Sequence, residues 1–179
     1  RECSESMDVA QGKLSIGLRT GCTAADPEYP ALLMMNAIFG AGTTSKLFTK
    51  VREELSLCYY AGSSIEKFKG VMIVSSGIET AQYETAKNEI LNQLEQCRRG
   101  NISDYEFDSA RRSILSELES AQDSPGRLDD YYLGCAAAGV AVSIPELAGQ
   151  IRAVTPADAA RAAQRVQLDT IYFLKGAEA

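Results

Sequence analysis

The stretch GAGTTSKLFTKVREELSLCYY, residues 40–60, opens with two glycines beside Thr43, Thr44, Ser45 and Lys46 and ends on a tyrosine pair. Such an opening invites comparison with a phosphate-cradling loop. That loop needs G-x-x-x-x-G-K-[ST] after a strand, so that consecutive amides point at the phosphates. Here Gly40 and Gly42 stand two apart, Lys46 follows Ser45, and an apolar segment, ALLMMNAIF at 31–39, precedes them. The spacing predicts instead a turn between two helices, with glycine supplying a positive φ and Thr43 or Thr44 capping the second helix.

Working outward, Leu47, Phe48, Val51 and Leu55 recur at helical spacing, with Lys46, Lys50, Glu53 and Glu54 on the other side. An amphipathic helix follows, and Glu53 and Glu54 read as a solvated charge pair. LCYYAGSSIEKF and GVMIVSSGIE read as two strands turned through KFKG at Gly70, an antiparallel pair. Upstream, KLSIGLR at 13–19 alternates Leu14, Ile16 and Leu18 on one face, and residues 31–39 predict a helix buried on most sides, with Met34 and Met35 filling core space. Downstream, Thr80 is expected to cap a helix that closes at Gly100. SDYE at 103–106 is a capping box opening a helix to about 121, with Ile114, Leu115 and Leu118 inward. Ser124–Pro125, the segment IPELAGQIRAV and the box TPAD at 155–158 mark further helices, and DTIYFLKG predicts a final strand. Strands and helices are not in βα alternation, so the fold class expected is α+β, an antiparallel sheet covered by helices. Nothing in residues 1–179 argues for splitting the chain, which is expected to be one domain; since it opens on Arg1, it is expected to belong to a longer protein.

Composition narrows the chemistry. A formal charge of −6 and the lack of a Lys/Arg cluster argue against a nucleic-acid partner. No apolar run approaches the roughly 20 residues that span a bilayer. The five cysteines are spaced 19 to 39 residues apart without a C-x-x-C pair, as reduced thiols of a cytoplasmic protein would be. The chain has no histidine. Ser-His-Asp and Cys-His catalysis are thereby removed, and with them His-ligated zinc.

The segment S-K-L-F-T-K-V-R-E at 45–53, followed by L-C-Y at 57–59, resembles the non-catalytic half of the M16 metallopeptidases, the family of insulin-degrading enzyme, pitrilysin and the mitochondrial processing peptidase. The helix PEYPALLMMNAIFG, the strand VMIVSSGIE and the helix VTPADAARAA extend the likeness over residues 10–175. The resemblance implies an M16 peptidase-like half domain that lines a peptide-holding chamber. Zinc and its H-x-x-E-H motif are then expected only in a catalytic partner half, on another domain or chain, with a peptide or small protein as substrate. It also implies that Arg52 and Tyr59 reach the substrate, and that this chain alone holds no cofactor and is inactive. Because adjacent strand residues face opposite sides, Tyr59 and Tyr60 are not both expected in the chamber. SSGIE, YETAKNEI and DTIYFL are also similar to a zinc-less bacterial branch associated with elongation factor P modification. An alternative is a pseudopeptidase serving as a scaffold, with no part in proteolysis.

Overall fold

Five strands and a helical layer are built around one hydrophobic cluster in the computed structural model, which describes residues 1–176. The strands are β1 Glu2–Met7, β2 Gly12–Arg19, β3 Tyr60–Glu66, β4 Val71–Ile78 and β5 Gln167–Gly176, in the spatial order β1-β5-β2-β4-β3. All pairs are antiparallel except β1 with β5, which run parallel. The strand β1 is absent from the expectation above. Its sequence, ECSESM, has no apolar alternation and stays largely exposed, so only its neighbour reveals it.

The inward face of the sheet follows the predicted alternation. Leu14, Ile16 and Leu18 of β2 are buried, as are Met72 and Val74 of β4 and Ile171 and Phe173 of β5. Against this face lies α1, Tyr29–Phe39, whose Leu32, Met34, Met35, Ile38 and Phe39 are also buried, the two methionines among them. Burying a side chain of this size contributes about 1.5–3 kcal/mol, so α1 is the centre of the molecule rather than its cover. The cover consists of α2 Tyr83–Arg98, α3 Asp104–Gln122, α4 Pro125–Ala138, α5 Ile144–Ala153 and α6 Pro156–Arg165.

Two of the predicted capping boxes form. Ser103 Oγ accepts from the Glu106 N–H and Thr155 Oγ1 from the Asp158 N–H, each carboxylate returning to the cap residue's N–H. A third, Ser143 with Glu146, starts α5. The Thr80 cap does not form: Thr80–Gln82 is a short 3₁₀ turn and α2 begins beyond it. On α3 the fully buried residues are Phe107 and Ala110, near its start; Ile114, Leu115 and Leu118 are only partly covered, because α4 above them buries no residue of its own. Gly70 turns β3 into β4 at φ +62°, as predicted.

Candidate functional site: the Arg52–Tyr59 cleft

The glycine loop is a structural turn. The Gly40 and Ala41 N–H groups both donate to the Asn36 carbonyl, at 2.8 and 2.9 Å, so neither is free for an anion. Gly40 in turn accepts from the Ser63 N–H of β3, and Ser63 Oγ donates to Asn36 Oδ1 at 2.6 Å. The end of α1 is thereby fastened to the sheet edge. Only Gly42 needs its φ, +110°; Gly40, at φ −151° and ψ 0°, is placed by its small size, which admits Ser63 and Leu47. Neither Thr43 nor Thr44 caps the next helix; at its start the Ser45 Oγ accepts from the Phe48 N–H at 3.4 Å.

Leu47–Glu54 is wound as a π-helix instead of the expected α-helix. Its turns are closed by bonds such as Leu55 N–H to the Lys50 carbonyl, one residue longer than an α-turn. Short π segments of this kind occur often at functional sites. The wider winding changes the predicted faces. Leu47 and Val51 are buried, Phe48 is half-buried, and Leu55 is exposed. Lys46, read from its spacing as solvated, is buried at 6% exposure, its Nζ 2.7 Å from Glu106 Oε1. Burial alone would raise the Glu106 carboxyl, but Lys46 and the Ser103 N–H and hydroxyl outweigh it and hold it below the usual range.

At the other end of the helix, Arg52 and Tyr59 open onto one cleft of about 490 Å³, lined also by Glu53, Ser56, Leu57, Cys58, Glu79 and Gln82. The chain between them reverses at Ser56, the one non-glycine residue at positive φ among the described residues, at +51°. Buried Leu57 anchors that reversal to the core. A non-glycine residue held in the left-handed region costs of order 1–3 kcal/mol and persists where its surroundings enforce it. Tyr59 precedes β3 rather than lying within it, yet its N–H already donates to the Gly77 carbonyl at 2.8 Å, continuing the ladder. Tyr60 turns away, over Gly77, and borders a separate hollow beside Gly40–Gly42.

Arg52 stacks on the Phe48 ring at 4.5 Å, and its nearest carboxylate is Glu53 at 3.9 Å. Among the described residues it donates no hydrogen bond, which leaves the guanidinium edge for a ligand. The Tyr59 hydroxyl donates to Glu79 Oε1 at 3.3 Å. Burial holds the Cys58 thiol above its ordinary pKa, with Ser76 and Arg52 pulling weakly the other way, so the cleft's cysteine is a thiol and not an activated nucleophile. Glu79 and Gln82 are cleft residues that sequence reasoning missed. Only the pairing of β3 with β4 carries the end of β4 to this place, and no local pattern announces it.

The donor set does not suit a metal. There is no histidine, and among the described residues no three Cys, Asp or Glu converge. The five thiols are unpaired, and burial pushes Cys22 up to about 11 and Cys97 up to about 12, far from the thiolate that zinc requires. Among the described residues no helix is long and apolar enough to cross a membrane.

An α+β domain with a guanidinium and a phenol on one cleft, and no metal-ligating cluster among the described residues, is the class that fold and site define. The chain belongs to the M16 peptidases: residues 1–114 match the family model described as the peptidase M16 inactive domain. Over 178 residues it is 40% identical to the "Probable inactive metalloprotease YmfF" of Bacillus subtilis, covering 99% of this chain and 42% of that protein. A conserved protein of Enterococcus faecalis superposes with a TM-score of 0.92 at 34% identity, over 98% of this chain and 42% of the other. The peptidase M16 inactive domain of Pseudomonas fluorescens does so at 0.82 with 18% identity, over 99% of this chain and 44% of the other, a likeness of fold. This chain therefore spans less than half the length of these relatives.

Proposed function

We propose that this chain is the non-catalytic half of an M16-type peptidase or of its zinc-less homologue, and that it holds a peptide segment in the Arg52–Tyr59 cleft. Zinc would come from a partner half, on another domain of a longer chain or on a second chain in the same cytoplasm. The observation that carries the reading is the convergence of two donors from different elements on one concavity, one of them donating no hydrogen bond among the described residues. Hydrolysis of a peptide builds negative charge on the carbonyl oxygen, and donors already in place stabilise it without reorganising.

The test is a fluorogenic peptide assay on the protein together with its zinc-bearing M16 half. Arg52→Ala is expected to lower turnover by about 10²–10³, the usual loss for one such donor, and Tyr59→Phe to lower it less. Turnover unchanged in both variants would remove the two residues from substrate handling. A second reading, a pseudopeptidase scaffold, draws support from the name "inactive metalloprotease" carried by the Bacillus relative. Under it, neither substitution alters partner assembly.

A further inference from the structure

Glu79 follows β4 and lines the same cleft as Arg52. Its side-chain partner is the Tyr59 hydroxyl at 3.3 Å, long for an O–H···O bond, which prefers about 2.7 Å. A phenol has a single proton to donate. While that proton points at Glu79, Tyr59 has none for a peptide carbonyl. Arg52 is in the opposite condition, with its edge unengaged. The cleft thus sets an unengaged guanidinium and an engaged phenol beside two carboxylates, Glu53 and Glu79, against a single cation. The neighbouring cation Lys50 is spent on Glu54 at 2.6 Å.

We propose that Glu79 is the specificity-determining residue of this cleft: it takes the Lys or Arg side chain of a bound peptide, and in doing so releases the Tyr59 hydroxyl to the peptide backbone. This rests on the peptide-holding reading above and adds to it the class of peptide. A carboxylate can accept from several donors, but an adjacent ammonium or guanidinium makes the stronger, charge-assisted bond and cancels much of the field that holds the phenolic proton. The bond already at 3.3 Å is the one that yields. An acidic side chain in the same place would meet two like charges.

The experiment measures binding of the purified protein to three labelled peptides, alike except for Lys, norleucine or Glu at one position. The Lys peptide is expected to bind roughly three- to fivefold more tightly than the norleucine peptide at low salt, as befits an ion pair to an exposed carboxylate, and the Glu peptide more weakly than either. The preference should fade at high salt. Glu79→Gln keeps an acceptor for Tyr59 but loses the charge, so the preference disappears. Glu79→Ala frees the phenol, so the norleucine peptide binds more tightly, a gain absent when Tyr59→Phe is added. A Glu79→Gln protein that keeps the full Lys preference overturns the assignment; if Arg52→Ala still weakens every peptide, the peptide-holding reading stands without it. Peptides that do not bind, or that bind regardless of Arg52, defeat both.

Discussion

Lys46 and Arg52 sit six residues apart in the same short helical segment, and the fold treats them in opposite ways. Lys46 is buried and bonded to Glu106, whose second oxygen accepts from the Ser103 N–H and hydroxyl, both at 2.8 Å. Arg52 stacks on Phe48 and meets no carboxylate closer than 3.9 Å. One cation is consumed in fastening the segment to α3. The other is held in place by packing but left chemically open. The difference teaches that a cation's role is set by where its partners come from: a satisfied one belongs to the scaffold, and an unsatisfied one beside a cleft is available to a ligand.

Breaking the closed end should have the largest effect. Lys46→Ala leaves the partly covered Glu106 carboxylate without its cation and should lower unfolding free energy by about 3 kcal/mol in urea denaturation, while Lys46→Met, which fills the space, costs less. Gly40→Ala comes next. Its φ is negative, so the cost is one of space: the new Cβ would lie 2.8 Å from Leu47 Cδ1 and closer still to Ser63 Oγ, so overpacking should cost about 2 kcal/mol and loosen the tie between α1 and β3. The third prediction concerns pH. Glu106 is held below its ordinary value of 4.5, so its contribution is full above that pH and is lost as pH falls through the lower, folded value. Wild type should therefore lose more stability than Lys46→Met on acidification, measured by denaturation at a series of pH values. The smallest effect should come from the open end. Arg52→Ala is expected to change stability by less than about 1 kcal/mol, mostly lost stacking on Phe48, while peptide binding falls. A large loss of stability there would put Arg52 in the same structural class as Lys46 and erase the contrast.

What could be read along the chain was whatever depends on neighbours in sequence. The alternation of Leu14, Ile16 and Leu18, the boxes at Ser103 and Thr155, the Gly70 turn and the motif carrying Arg52 and Tyr59 are all local patterns with local causes. Lys46 was misread because its partner lies 60 residues away. The π winding escaped because Leu47 and Val51 satisfy helical spacing whichever way the turn closes; only the exposure of Leu55 separates the two. Strand β1 is polar and is defined by its parallel neighbour β5, at the far end of the chain.

The residue order by itself determined that this is an α+β domain of M16 type and that it lacks the histidines of a zinc site, and it pointed to Arg52 and Tyr59 as residues to look for. Tertiary structure alone decided that those two share a cleft, that Ser56 reverses the chain between them, and that Glu79 arrives from β4 to hold the phenolic proton. The physical reason is one of range. Burial periodicity and capping act over a few residues, whereas the charge balance of a cleft is summed over side chains that meet only when strands pair.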